Sequence, residues 1–207
     1  MNARQTPGLV ARLRERFATL RHYHEVAEVG EIARRYFAMN AFDGVLTTVG
    51  VLSGAYVGGV DSARAVVTLV VTTAVGMGVS GFYGSYLVEC AERDRAMREL
   101  EESTLSSLHD TTIASASRYA TVVIALVDGA SPFAAALIAV TPFLFVGSLG
   151  IHGAFYVAMG VALVELFGLG VFLGRVSRDR LWLSGIKLTL AGLVALALGL
   201  LLGGGVT

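Results

Sequence analysis

Residues 36–60 read YFAMNAFDGVLTTVGVLSGAYVGGV, and Asp43 is the only charged residue in that stretch. A run of roughly 20 mainly apolar residues is long enough to cross a bilayer as a helix. An ionisable side chain inside such a helix is costly to bury, so it indicates a functional site by default. The predictions for this chain therefore start from Asp43.

The setting of Asp43 occurs again at an offset of 85 residues. Phe-Asp-Gly at 42–44 returns as Val-Asp-Gly at 127–129, and Arg-Asp-Arg at 93–95 returns as the same tripeptide at 178–180. Two multi-residue matches at one offset, without a gap, predict a tandem duplication. Acids at equivalent places in two repeats predict one shared site at the repeat interface.

Composition favours a membrane protein. The 207 residues are 55% hydrophobic and 15% charged, whereas soluble domains average about 45–50% apolar and about 25% charged residues. Continuous apolar runs favour helices over barrel strands. We predict an all-α membrane protein in which residues 36–204 form a tandem parallel helical-hairpin repeat plus a fifth helix. Its five transmembrane helices are predicted at about 37–58, 66–88, 120–143, 152–174 and 184–204.

The basic residues predict the orientation. Seven precede the first span, four lie between the second and third, and four surround the loop between the fourth and fifth, whereas only Arg64 falls on the other side. The positive-inside rule then places the N-terminus in the cytoplasm and the C-terminus outside. Residues 1–35 are predicted to be a cytoplasmic, amphipathic basic segment on the membrane surface. A multi-pass protein of the cell membrane is expected if the source is a prokaryote.

Three carboxylates, on Asp43, Asp128 and Glu165, are predicted to share one depth. Counted from the nearest arginines at about 1.5 Å per residue, each lies about 12–15 Å into its span. A divalent cation that binds them displaces their protons, which would couple transport to protons. The simpler alternative is that each acid is protonated and hydrogen-bonded within the bundle.

Polar neighbours extend this candidate metal site. Asn40 and Thr47 share the helical face of Asp43, and Met77 lies at comparable depth in the second span. Oxygen ligands with one thioether suit Fe²⁺ or Mn²⁺ better than a pure Ca²⁺ cage. Met77 alone is equally consistent with simple packing.

The predicted cytoplasmic loop 89–118 carries a second set of candidate ligands. Four of its acids recur on one broad helical face: Glu89, Glu92, Glu99 and Glu102. Carboxylates on one face suit divalent cations. The alternative is a salt-bridged helix, because Arg95 and Glu99 are four residues apart. His24 and Glu28 near the N-terminus also share a face, with a solvated surface as the simpler interpretation.

Several motifs resemble the vacuolar iron transporter family of Fe²⁺/Mn²⁺ transporters. They are Asp-Gly-Val at 43–45, Gly-Met-Gly at 76–78, Asp-Gly-Ala-Ser-Pro-Phe at 128–133 and Trp-Leu-Ser-Gly at 182–185. The resemblance covers about residues 34–204. It implies five spans, a homodimer with the ion path between subunits, and Asp43 and Met77 as pathway ligands. The chain departs from the family in its short loop 89–118 and in Gly81-Phe82, where an acid often follows the methionine motif.

The predicted function is a divalent transition-metal transporter that moves Fe²⁺ or Mn²⁺ out of the cytoplasm, by proton antiport, in metal homeostasis. The expected partners are the lipid bilayer, divalent metal ions and a second copy of the chain, with no nucleic acid and no resident cofactor. A proton-coupled small-solute transporter and a non-transporting membrane scaffold remain alternatives. An enzyme is not expected, because the sequence shows no nucleophile–base pair and no phosphate-binding loop.

Overall fold

The computed structural model describes residues 29–108 and 111–204, together with Tyr23. Within these residues every regular element is a helix, which confirms the all-α class. The elements are α1 (Val29–Val57), α2 (Ala63–Thr104), α3 (Thr112–Val140), a short 3₁₀ helix (Thr141–Phe145), α4 (Val146–Ser177) and α5 (Leu181–Gly204). Residues 29–35, which the sequence assigned to the basic segment, form the first turns of α1. Most of that segment, including His24 and Glu28, lies outside the described residues.

Three helical stretches of the described chain are long and apolar enough to cross a membrane. They are Ala63–Thr104, Thr112–Ser177 and Leu181–Leu202. The prediction that the chain contains helices able to span a membrane is confirmed. The second stretch includes α3, the 3₁₀ helix and α4, and its backbone leaves helical geometry at Gly150 (φ 68°, ψ 167°). Helix α1, which carries Asn40 and Asp43, is not one of the three.

The first three helices alternate in direction. α1 and α3 run parallel, because Val29 shares a core cluster with Ala120 near the start of both helices. Further along, Leu52 shares a cluster with Val140. α2 runs antiparallel to α3, since its early residue Val66 belongs to the Val140 cluster whereas its later residues reach the middle of α3.

The last two helices complete the alternation around α1, which contacts all four other α-helices. Phe37 packs edge-on against Phe172 at 5.7 Å between ring centroids, and Tyr56 packs against Phe155 at 5.4 Å. Helix α4 is therefore antiparallel to α1. Helix α5 returns parallel to α1, with Gly199 against the buried side chain of Ser53.

Glycine allows α1 and α3 to meet backbone to backbone. A Cβ on Gly44 would lie 2.5 Å from the Cα of Pro132, which no side chain can tolerate without a shift of the main chain. One turn away, a Cβ on Gly129 would lie 2.6 Å from the carbonyl oxygen of Gly78 on α2. In the middle of the bundle, α1 and α2 each contact the backbone of α3, because glycine places no side chain between them.

Most of the segment predicted as the cytoplasmic loop 89–118 is helical. Residues 89–104 continue α2, and α3 begins at Thr112. Its charged residues end the apolar span, but Glu, Arg, Ala and Met are strong helix formers, so the helix does not stop there. With 42 residues, α2 is about 63 Å long, compared with a hydrocarbon core of about 30 Å. Its last part must project beyond a bilayer.

We predict that Gly44→Ala lowers the free energy of unfolding by about 1–3 kcal/mol, because the added methyl group overpacks the contact with Pro132. The measurement is an SDS titration of the purified protein in mixed micelles. Gly168→Ala on α4 is the control, since nothing lies within 4 Å of the position its Cβ would take. Equal stability of the Gly44→Ala variant and the wild type would show that α1 and α3 do not meet this closely.

Candidate functional site: a buried carboxylate between three helices

Asp128 lies where α1 and α3 cross, and only 5% of its surface is exposed. The side-chain amide of Asn40 donates one hydrogen bond to Asp128 Oδ1. It donates another to the carbonyl oxygen of Tyr36 at 2.9 Å. The close approach of Gly44 and Pro132, one turn further along both helices, brings these partners together. Asn40 therefore holds a buried acid from the neighbouring helix.

Helix α2 closes the other side of the carboxylate through a glycine. The position that a Cβ of Gly81 would take is 3.4 Å from both Oδ2 and the carbonyl oxygen of Asp128. The buried side chain of Ser85 also lies beside this carboxylate, while its hydroxyl donates to the Gly81 carbonyl at 2.7 Å. The sequence analysis missed Ser85. Its position one helical turn from Gly81 and from Glu89 was the available indication.

A second buried acid, Glu89, lies one turn further along α2 and is 5% exposed. The Tyr36 hydroxyl donates to its Oε1 at 3.3 Å, and Arg93 donates from Nε to its Oε2 at 2.9 Å. Both oxygens are therefore occupied, one by α1 and one by α2. This ion pair is a structural link near the end of the bundle and is connected to Asp128 through Tyr36 and Asn40.

The other three glutamates of the predicted set, Glu92, Glu99 and Glu102, are exposed. Arg95 pairs with Glu99 at 2.9 Å, as the four-residue spacing predicted. Such exposed pairs contribute only about 0.3–0.5 kcal/mol. The four glutamates therefore differ in environment, since Glu89 alone is buried.

Asp43 lies on the outward face of α1 and is exposed in the single chain. It lies on α1 three residues after Asn40, which bonds Asp128. Gly50 and Gly54 lie on the same exposed face, and nothing approaches within 4 Å of the positions their Cβ atoms would take. Half-buried Thr47 lies between Asp43 and Gly50 in the sequence. This face of α1 therefore carries an acid and two exposed glycines.

Glu165 lies at the same level of the bundle on α4, because its neighbours Ala162 and Leu166 pack in one cluster with Val45 and Val49 of α1. Its Oε2 is buried and has no hydrogen-bond partner within the described residues. No hydrogen bond between described residues joins it to the Asp128 network.

The described part of one chain contains no group of three or more His, Cys, Asp or Glu side chains placed to hold a metal ion. Asp43 lies three residues after Asn40, the hydrogen-bond partner of Asp128, whereas Glu165 lies on α4. Half-buried Met77 precedes Gly78, which contacts α3.

The helices and the buried acids define a helical membrane protein with a polar site inside its bundle. No protein-family profile matches the chain. The chain is similar to Uncharacterized protein MJ0645 of Methanocaldococcus jannaschii, with 31% identity over 172 residues that cover 82% of this chain and 87% of the archaeal protein. The chain therefore belongs to the family of that archaeal protein.

We predict that Asn40 and Asp128 are energetically coupled. In a double-mutant cycle with Asn40→Ala and Asp128→Ala, the coupling energy should reach at least about 1 kcal/mol, because removing either partner leaves the other buried and unsatisfied. The free energy of unfolding in mixed micelles is the measurement. A cycle of Asn40→Ala with Asp61→Ala, in the distant α1–α2 loop, should be additive within about 0.5 kcal/mol. Additivity in both cycles would contradict the contact.

Proposed function

We propose that this protein is a divalent transition-metal transporter that exports Fe²⁺ or Mn²⁺ from the cytoplasm in exchange for protons. The observation that carries the proposal is the pair of acids at mid-bundle: Asp128 is buried and held by Asn40, while nearby Asp43 faces outward from α1. Asp128 is held inside the bundle, whereas Asp43 is exposed on the surface of a largely apolar helical bundle.

An exposed Asp43 is inconsistent with a chain that acts alone in a bilayer. A carboxylate facing lipid at that level costs at least about 2.5 kcal/mol, so such residues almost always face a protein interior or a water-filled path. The same face of α1 carries Gly50 and Gly54, small residues that let helices approach closely in membranes. A second copy packed on this face would enclose both Asp43 side chains, so we propose a homodimer with the ion path at its interface.

A dimer would also add ligands to those that the described residues of one chain bring together. Two copies of Asp43 would bring two carboxylates together, with Thr47 hydroxyls and Met77 thioethers as further donors. This mixture of oxygen and sulfur ligands suits Fe²⁺ or Mn²⁺. The resemblance of the Asp-Gly and Gly-Met-Gly motifs to the vacuolar iron transporter family points to the same ions.

Proton coupling follows from the chemistry of the ligands. A carboxylate binds a cation only after it has lost its proton, so metal binding releases protons and weakens as pH falls. Export should therefore slow when the cytoplasm becomes acidic. Glu165 is a candidate proton carrier, since one of its oxygens is buried without a partner among the described residues.

We further propose five spans built from a tandem repeat plus α5. Support comes from the alternating directions of the five helices and from the break at Gly150, near the start of α4. α1 and α3 are both 29 residues long. Gly44 and Gly129, which are equivalent at the offset of 85, both make backbone contacts with a neighbouring helix. The end of the bundle with Arg93 and Arg118 then faces the cytoplasm.

We predict that the N-terminus is inside and the C-terminus outside. In a Cys90→Ser background, an impermeant maleimide added to intact cells should label Thr207→Cys. It should label Leu100→Cys, at the projecting end of α2, only after the cells are permeabilised. The opposite labelling pattern would reverse the proposed orientation. Labelling of both positions from outside would contradict an odd number of spans between residues 100 and 207.

We predict that Asp43→Asn lowers Mn²⁺ and Fe²⁺ flux by at least about tenfold and leaves the protein folded, because it removes the ligand charge and introduces a group that is easier to bury. Flux is measured in proteoliposomes under a pH gradient with Fe²⁺, Mn²⁺, Zn²⁺ and Ca²⁺. Asp61→Asn, an exposed loop variant, is the control and should transport normally. Wild-type flux in Asp43→Asn would overturn the metal site. A wild-type protein that moves none of the four ions would leave a small-solute transporter or a scaffold as the alternative.

A further inference from the structure

A cavity of about 350 Å³ lies between the projecting end of α2 and the first turns of α3. Its volume is in the range of small-ligand sites. Three guanidinium groups line it, those of Arg93, Arg98 and Arg118, together with the hydroxyl-bearing Ser117. These residues belong neither to the Asp43–Asp128 pair nor to the proposed ion path.

The charges around this cavity favour an anion. Its two acids are Asp94 and Glu101, and Glu101 already accepts a hydrogen bond from the backbone N–H of Leu108 at 2.7 Å. Arg93 uses Nε for its bond to Glu89, which leaves its two terminal amino groups available as donors. Ala114 and Ser117, in the first turns of α3, also line the cavity. The partial positive charge at the N-terminus of α3 therefore lies near it.

An apolar pocket of about 190 Å³ adjoins the basic cavity. Arg93, Met97 and Ser117 line both spaces, and the second is otherwise apolar, with Leu100 and Ile113 in its wall.

The position along α2 is that of a membrane boundary. Leu87 and Val88 are exposed apolar residues, and the charged part of the helix begins directly after them at Glu89. Basic pockets between membrane helices at such a boundary bind anionic headgroups.

We propose that this cavity binds the phosphate of an anionic glycerophospholipid, with the headgroup among the three arginines. Guanidinium groups suit phosphate because they offer paired donors. The bound lipid would tie the projecting end of α2 to α3. Through Arg93 it would also support the Glu89–Tyr36 link to α1. The proposal requires only membrane insertion and does not rest on metal transport.

The test uses the purified full-length protein in neutral detergent, with apparent Kd measured by native mass spectrometry. The probes are dioctanoyl phosphatidylglycerol, dioctanoyl phosphatidylcholine and inorganic phosphate. The test variant is Arg98→Gln combined with Arg118→Gln. The control variant, Arg95→Gln combined with Arg180→Gln, removes the same charge from exposed positions outside the cavity. Thermal unfolding without ligand verifies that both variants are folded.

Phosphatidylglycerol should bind the wild type several-fold more tightly than phosphatidylcholine, and the test variant should lose about tenfold or more of that affinity. The control variant should stay within about twofold of the wild type, since exposed charges outside the cavity contribute little. Equal affinity of the test variant and the wild type would overturn the site, as would an equal loss in the control variant. Inorganic phosphate that binds as tightly as phosphatidylglycerol would overturn the lipid assignment in favour of a soluble phosphate ligand.

Discussion

The backbone contact between Gly44 of α1 and Pro132 of α3 is the constraint on which the described arrangement depends. Because neither residue places a side chain between the helices, the two backbones approach closely enough for Asn40 to reach Asp128. The same closeness, repeated where Gly129 meets Gly78, brings α2 against the other side of the carboxylate. A polar centre is thereby enclosed in a chain whose packing is otherwise mainly apolar.

The two aspartates that are equivalent in the proposed repeat have different environments. Asp128 is enclosed by Asn40, Ser85 and the bare backbone of Gly81, whereas Asp43 is exposed on the face of α1. One acid is held within the chain, and the other is exposed on the face of α1. This asymmetry is the physical basis for the proposed dimer, because a second copy on this face would shield Asp43 from lipid.

The sequence predicted features that depend on composition and on local spacing. The all-α class, the presence of membrane-spanning helices and the Arg95–Glu99 pair follow from hydropathy and from the helical period. The sequence did not predict that Asn40 bonds Asp128, that Ser85 lies beside that acid, or that Glu89 is a buried ion-pair partner. Those contacts join different helices, and their geometry depends on how closely the helices pack. A helical face within residues 89–118 was predicted, but its continuity with α2 to Thr104 was not, because hydropathy marks the end of a span and not the end of a helix.

The central claim is that a metal site is completed by two copies of the chain at Asp43. It is tested most directly by titrating purified protein with Mn²⁺ in a calorimeter, with the oligomeric state measured on the same sample by light scattering. We expect a dimer that binds about one Mn²⁺ at the interface per two chains. The Asp43→Asn variant should lose Mn²⁺ binding and remain a dimer. A monomer that binds Mn²⁺, or binding that is unchanged in Asp43→Asn, would contradict it.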